Sequence, residues 1–218
     1  MQGEAKPTAA DPDGLGSADD WSEGAVHRGR LRVRTLVTLR WLVAAGEVAL
    51  LLLVMAMGFH APYVLCFVVV GAAAWLNLLT GVATPGQRVF GDREAAVQLG
   101  IDIAQVSLLI FLTGGTSNPF VLMLIAPVTL AAATLPLRHV IALGVLAAAM
   151  SVLLAFFALP LPQAPGMAVQ IPQSFRIGAA MANIAGVALT AGYVRQAAGE
   201  SARMALALLT AVSAAAVQ

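Results

Sequence analysis

Long, nearly uncharged apolar segments dominate this sequence. Of its 218 residues, 60% are hydrophobic and only 11% are charged, and the mean hydropathy is +0.87. A soluble domain has roughly a quarter of its residues charged, so water is not the main solvent of this chain. Because lipid offers no hydrogen-bond partners, the backbone of each segment has to bond internally as a helix. The sequence therefore predicts an all-α fold, a polytopic membrane helix bundle.

Six apolar segments approach the roughly twenty residues that a bilayer crossing requires. They are residues 36–59, 63–82, 95–113, 119–135, 140–159 and 175–193. Pro127 lies inside the fourth segment and is expected to kink it, since proline removes a helical hydrogen bond. About six transmembrane helices are predicted.

The basic residues indicate the orientation of these segments. Arginines cluster before the first segment, between the second and third, and after the sixth. If both termini are cytoplasmic, Arg176 is the one of the twelve Lys and Arg residues that falls on the outer side. Cytoplasmic loops retain Lys and Arg, so both termini are predicted to be cytoplasmic.

Three regions follow from the charge pattern. Residues 1–27 carry six acidic residues and one lysine with little to bury, which predicts a disordered acidic leader. Residues 28–195 form the six-helix transmembrane domain, and residues 196–218 a cytoplasmic helix. Met204, Leu208, Ala211 and Ala215 have the spacing of a helix seam. That seam could pair with a second copy, or the segment could be an ordinary alanine-rich helix.

Several classes of function are disfavoured by composition. The net charge is +1 and no basic block is flanked by aromatic residues, so no nucleic-acid partner is expected. Cys66 is the one cysteine and lies in an apolar run, where it is interpreted as a small core residue. We expect neither a metal site nor catalytic residues in this chain.

The connection between the third and fourth segments is the most informative stretch. It consists of Gly114, Gly115, Thr116, Ser117, Asn118, Pro119 and Phe120. One interpretation is a turn, in which glycine ends one helix, Asn or Ser caps the next, and proline begins it. The other is a ligand site, in which free N–H groups and the Asn118 amide bind a carbonyl oxygen beside the Phe120 ring. A lipid-soluble quinone has such carbonyls and a flat ring, and the residues alone leave both interpretations open.

This heptapeptide resembles the GGxxNPF motif of the RegB/PrrB/ActS family of redox-responsive sensor histidine kinases. Residues 34–42 resemble the basic entry to that family's first span, and residues 199–204 resemble its exit toward the kinase, so the resemblance covers residues 32–204. It implies a six-helix sensor in the bacterial inner membrane that senses the redox state of the ubiquinone pool through residues 114–120. The full-length parent would be a homodimer that uses ATP to phosphorylate a histidine and then a response regulator.

The family's catalytic elements do not appear in this sequence. His27, His60 and His139 lack the phospho-accepting motif, Cys66 lies in a span rather than in a linker, and no ATP-binding domain follows. The resemblance therefore implies the sensing role alone for this chain, with kinase activity in the parent. A fragment or a truncated product is expected.

Two carboxylates, Glu47 and Asp102, lie within the predicted spans. Acids are costly in lipid, so each is expected to be paired or functional. They could reach toward Arg40 and Arg93 near the cytoplasmic side, or they could take part in proton transfer. They also motivate an alternative function, a small multi-span transporter or channel. Asn77, Gln105 and Asn183 are predicted to form hydrogen bonds between helices.

Overall fold

The structure is a computed structural model that describes residues 33–83, 90–164, 166 and 169–216. The described residues form six α-helices and two 3₁₀ segments. The helices are α1 (Val33–Ala56), α2 (Tyr63–Ala83), α3 (Asp92–Leu112), α4 (Ile125–Thr134), α5 (Leu137–Phe156) and α6 (Gln173–Ala216). The 3₁₀ segments, Gly115–Ser117 and Pro119–Leu124, lie between α3 and α4. The predicted leader, residues 1–27, lies outside the described residues.

Five of these helices, all except α4, are long and apolar enough to cross a membrane. Their outward faces are apolar as well: Leu42, Val64 and Val82 are 71%, 77% and 79% exposed. A soluble monomer rarely exposes apolar surface on this scale. The chain is therefore a multi-pass membrane protein, and the predicted all-helical membrane bundle is confirmed.

Helix α1 ends at Ala56, three residues before the predicted boundary. Gly58 has φ +76°. Its N–H donates to the carbonyl of Met55 at 3.0 Å, and the N–H of Phe59 donates to the carbonyl of Val54 at 3.3 Å. This pair of bonds is a Schellman motif, which ends a helix where glycine adopts a left-handed conformation.

The three connections α1–α2, α3–α4 and α5–α6 meet at one end of the bundle, which we call the loop end. The backbone N–H of His60 donates to the carbonyl of Gln163 at 2.9 Å, which joins the first connection to the last. The Thr116 hydroxyl donates to the carbonyl of Arg176 at 2.9 Å, which joins the second connection to α6.

The segment before α5 extends from the loop end to the opposite end of the bundle. There Arg195 of α6 donates through Nη1 to the carbonyl of Leu135 at 3.3 Å. From Arg176 to Arg195, α6 rises about 28 Å. Residues Pro119–Thr134 number only sixteen, below the length of the other helices. Their 3₁₀ part rises about 2.0 Å per residue, so the whole segment reaches about 27 Å.

The fourth segment is thus a 3₁₀ helix followed by an α-helix, where the sequence predicted one helix kinked at Pro127. Pro127 is the third residue of α4, within its first turn. Since proline has no N–H, it cannot bond to the carbonyl of Met123 four residues earlier. The proline therefore lies at the junction with the 3₁₀ segment rather than at a kink in a long helix.

The core lies mainly between α3, α4, α5 and α6. Leu99, Ile103, Leu124, Val128 and Ala147 are among its most buried members. A smaller cluster joins α1 and α2 to the end of α3 and contains Leu51, Cys66, Val70 and Leu112. Cys66 is a free thiol with no exposed surface, in agreement with its interpretation as a core residue.

Helix α6 is 44 residues long and continues past the bundle to Ala216. The predicted sixth span ended at residue 193 with a separate helix after it, whereas the structure has one continuous helix. Residues 199–215 are all exposed, including Met204 at 64% and Leu208 at 68%. Pairing of this segment with a second copy stays a prediction.

We expect that cysteines placed at His60 and Gln163 form a disulfide, because antiparallel bridge partners have Cα atoms within the range that a disulfide spans. The double variant H60C/Q163C, made with Cys66→Ala to remove the native thiol, should migrate as an oxidant-dependent cross-linked monomer on a denaturing gel. Each single variant is the matched control. Absence of an intramolecular cross-link would contradict the contact between these connections.

Candidate functional site

The heptapeptide turn packs too closely for any residue except glycine at its first two positions. Gly114 and Gly115 have φ +118° and +59°. A Cβ on Gly115 would overlap the carbonyl oxygen of Leu154 and lie 2.5 Å from the Cβ of Ala158. A Cβ on Gly114 would lie 2.6 Å from Cδ1 of Leu161. The two glycines therefore let the turn pack against α5 and the connection that follows it.

Asn118 uses its whole side-chain amide within the turn. Its Oδ1 accepts from the N–H of Phe120 at 2.9 Å, so it caps the following 3₁₀ helix, with Pro119 at the first helical position. Its Nδ2 donates to the carbonyl of Thr113 at 3.1 Å and to the Thr113 hydroxyl at 2.8 Å. The predicted capping role is confirmed. The Asn118 Nδ2 would have to give up one of its two bonds before it could donate to a ligand.

The heptapeptide residues divide into two groups by position. Gly114, Gly115 and Thr116 are buried among α5, α6 and their connection. Asn118 and Phe120 instead line a cavity on the other side of the turn. Ser117 and Pro119 do not line that cavity. Two of the seven heptapeptide residues therefore line a cavity, and ligand binding by the heptapeptide stays a prediction.

This cavity, which we call the loop-end cavity, has a volume of about 260 Å³. Its walls come from α1, α2, α3, the second 3₁₀ segment and the α5–α6 connection, and most of them are apolar. The lining residues missed by sequence reasoning include Leu50, Val54, Met57, Phe59, Tyr63, Leu109, Met123, Leu161 and Pro162. Met57 and Phe120 are themselves 60% and 39% exposed, so the cavity reaches the outer surface of the bundle.

A second, larger cavity of about 730 Å³ lies between α1, α2, α3 and α4, and we call it the central cavity. Leu39, Val43, Leu76 and Ile101, which line it, are exposed on the same surface. The two cavities share Glu47, Val106 and Met123 in their walls. Together they follow the α1–α3 side of the bundle for much of its depth.

Polar side chains bridge α1 and α3, and several of them line the central cavity. Arg40 on α1 forms an ion pair with Asp102 on α3, with Nη2 2.7 Å from Oδ1. Arg40 also donates to the side-chain oxygen of Gln98 at 2.5 Å and to its carbonyl at 2.7 Å. Of the two arginines considered from sequence, Asp102 thus pairs with the one on the neighbouring helix.

Glu47 lies two helical turns along α1 from Arg40 and is bonded to an amide rather than to a cation. The Nε2 of Gln105 donates to its two carboxylate oxygens at 3.1 and 2.9 Å. Glu47 is only 6% exposed. Asp102 and Gln105 are three residues apart on α3, and Arg40 and Glu47 seven apart on α1, so each pair lies on one helix face. From this spacing alone, the sequence could have predicted that the members of each pair share a helix face.

The predicted hydrogen bonds between helices are confirmed. Gln105 reaches Glu47, Asn77 donates to the carbonyl of Val37 at 3.0 Å, and Asn183 donates to the Ser151 hydroxyl at 2.7 Å. No group of three or more His, Cys, Asp and Glu that could hold a metal ion occurs in the described part of the chain.

These features define a class: a multi-pass helical membrane protein with a lipid-accessible cavity beside a tightly packed glycine turn. The chain is 35% identical over 202 residues to the sensor histidine kinase RegB of Cereibacter sphaeroides, covering 91% of this chain and 42% of RegB. A second RegB sequence, from a strain of the same species, is 36% identical to the chain over 100 residues. The match covers 44% of this chain and 20% of that protein. The chain is therefore homologous to RegB and belongs to the RegB family, in which it corresponds to the transmembrane region.

The relatives are longer than this chain, which spans less than half the length of either RegB sequence. No protein-family model matches the chain, and no solved structure matches it.

Gly115→Ala is expected to lower the free energy of unfolding by about 2 to 5 kcal/mol, from left-handed strain and overlap with Leu154. Gly71→Ala is the matched control, because a Cβ there meets no atom within 4 Å. It should leave the stability unchanged or slightly higher. Denaturant unfolding of both variants in detergent checks this, and equal stabilities would contradict the close packing of the turn.

Asp102→Asn is expected to cost roughly 3 kcal/mol of unfolding free energy, because it leaves the Arg40 guanidinium without its counter-charge in an apolar setting. Removing both charges, in Arg40→Met with Asp102→Leu, should restore much of that loss. A double-mutant cycle of unfolding free energies, formed from Arg40→Met, Asp102→Leu and the double variant, measures the coupling. Additive effects of the single changes would show that the pair contributes nothing.

Proposed function

We propose that this chain is the membrane sensor module of a two-component sensor histidine kinase, and that it binds a ubiquinone-type quinone in the loop-end cavity. The homology to RegB supports the kinase context, since both relatives carry the name sensor histidine kinase. The observation that carries the ligand proposal is the cavity beside the heptapeptide, with Asn118 and Phe120 in its wall.

The shape and chemistry of the cavity suit a substituted quinone ring. It holds about 260 Å³, its wall is mostly apolar, and the exposed Phe120 offers an aromatic face at its edge. Small-molecule sites commonly combine such apolar walls with a few polar groups. A prenyl tail could extend into the central cavity, which shares part of the wall and is mostly apolar. Both cavities reach the lipid-facing surface, so the ligand would enter from the bilayer.

Within this proposal all six helical segments cross the membrane and both termini are cytoplasmic. The segment Pro119–Thr134 crosses by means of its extended 3₁₀ part, because contacts at both ends hold it alongside α6. Arg176 lies at the loop end. Arg138, Arg195 and Arg203 occur in the sequence where the chain has reached the opposite end of the bundle. The positive-inside rule therefore places the loop end outside the cytoplasm of a bacterial inner membrane.

Helix α6 would carry the signal. Its first turns contact the heptapeptide through Thr116 and the carbonyl of Arg176, and its last turns project from the bundle as exposed helix. The Arg176 guanidinium also donates to the carbonyl of Leu154 at 3.2 Å, so the turn, α5 and α6 are joined at one place. A displacement of the turn would move α6 as a rigid rod toward a kinase region of the parent.

In the parent, that kinase region would use ATP and phosphorylate a response regulator, and pairing of the α6 extensions would make it a homodimer. The alternative of a small transporter or channel has less support. Asp102 is neutralised by Arg40 rather than left as a free charge along a pathway.

Val54→Trp is expected to fill the loop-end cavity and to weaken binding of a short-chain ubiquinone analogue at least tenfold, about 1.4 kcal/mol. Phe120→Ala should weaken it by roughly two- to tenfold through loss of ring contact. Equilibrium binding to the reconstituted chain in lipid nanodiscs measures both.

Val64→Trp, at a 77% exposed position on α2, is the matched control and should bind as the unmodified chain does. Unfolding midpoints of all variants establish that they are folded. Unchanged affinity in Val54→Trp would show that the quinone, if bound, lies elsewhere.

A further inference from the structure

The polar side chains that line the loop-end cavity differ in whether they are free to bind a ligand. Those in its wall are Glu47, Tyr63, Thr113 and Asn118. Tyr63 donates to the carbonyl of Phe59 at 2.5 Å, and Thr113 donates to the carbonyl of Leu109 at 2.8 Å. The Nδ2 of Asn118 donates to the carbonyl and to the hydroxyl of Thr113. Each of these three has its donors committed to the protein.

Glu47 differs from these three because it is the one acidic residue among those lining this cavity. Its carboxyl group receives hydrogen bonds from a single residue, Gln105. Two carboxylate oxygens can accept about four hydrogen bonds, so acceptor capacity remains. Glu47 lies in the walls of both cavities.

The charged and titratable groups around Glu47 come from three helices. On α1, Arg40 is committed to Asp102 and Gln98, two turns away. On α3, Asp102 is held in that ion pair. On α2, Tyr63 is bonded to a carbonyl and Cys66 is buried in the small cluster. The 3₁₀ segment that completes the wall has no titratable residue.

A quinone and its hydroquinone present opposite hydrogen-bonding groups. The quinone has two carbonyl oxygens that only accept, whereas the hydroquinone has two hydroxyl groups that also donate. A carboxylic acid can donate to a carbonyl, and a carboxylate can only accept, from a hydroxyl group. One residue that exchanges a single proton can therefore favour either form.

We infer that Glu47 is the residue that distinguishes the oxidised from the reduced ligand, binding the quinone as a carboxylic acid and the hydroquinone as a carboxylate. This rests on the proposed quinone site. No bond is made or broken apart from the O–H of Glu47, whose proton is exchanged with water. Gln105 acts as a positioning residue that holds the carboxyl group toward the cavity.

The inference has a defined pH dependence. Because the quinone binds the protonated residue, its affinity should fall as pH rises through the titration of Glu47, by up to tenfold per pH unit. The affinity of the hydroquinone should rise over the same range. The preference for the reduced form therefore increases with pH.

The test measures binding of a decyl-substituted benzoquinone and, without oxygen, of its hydroquinone to the whole chain in nanodiscs between pH 5.5 and 8.5. The ratio of the two affinities should change at least tenfold in the unmodified chain. In Glu47→Gln the ratio should be constant, because the amide both donates and accepts at every pH. His60→Gln is the control, since this exposed histidine near the loop end lines neither cavity, and the variant should keep the full dependence.

Gln105→Leu provides a second measurement if Glu47→Gln unfolds. It leaves Glu47 titratable but removes its partner, so the midpoint pH should move while the dependence persists. Binding of neither form by the unmodified chain would refute the proposed function itself. Binding of both forms with a pH-independent ratio, or with a dependence that persists in Glu47→Gln, would refute only the role of Glu47.

Discussion

Backbone groups in an apolar environment need hydrogen-bond partners, and this requirement is clearest in the shortest segment of the bundle. Residues Pro119–Thr134 connect the loop end to the opposite end with fewer residues than the other helices. They do so by beginning as a 3₁₀ helix, which rises further per residue while keeping its hydrogen bonds internal. Asn118 caps that helix, so the depth of the segment depends on the turn before it.

The same turn links the candidate ligand site to the longest helix. Gly114 and Gly115 allow the turn to pack against α5, and Thr116 bonds to the backbone of α6. On its other side, Asn118 and Phe120 face the loop-end cavity. The loop-end cavity and α6 therefore both contact this one turn. For the proposed quinone, this arrangement would give a physical route to the exposed helix beyond the bundle.

Much of the site could be predicted from sequence. Which of its residues line the cavity and which pack against α5 and α6 could not. The turn residues, the asparagine cap and the two intramembrane acids were recognisable because each has a local signature. What could not be read was which face of the turn is buried, since that depends on α5 and α6, distant in sequence. For the same reason the pairing of Asp102 with Arg40 rather than Arg93 was open. Arg40 lies on a different helix from Asp102, and only helix packing brings the two side chains together.

By itself the sequence determined the fold class, because apolar runs of this length have one stable form in a bilayer. It also determined where most helices begin and end, through proline, glycine and capping residues whose effects are local. The tertiary structure decided the 3₁₀ start of the fourth segment, the cavities along α1 and α3, and the position of Glu47 between them. These depend on how several helices pack around a shared space, and pairwise packing over long sequence separations leaves no local pattern.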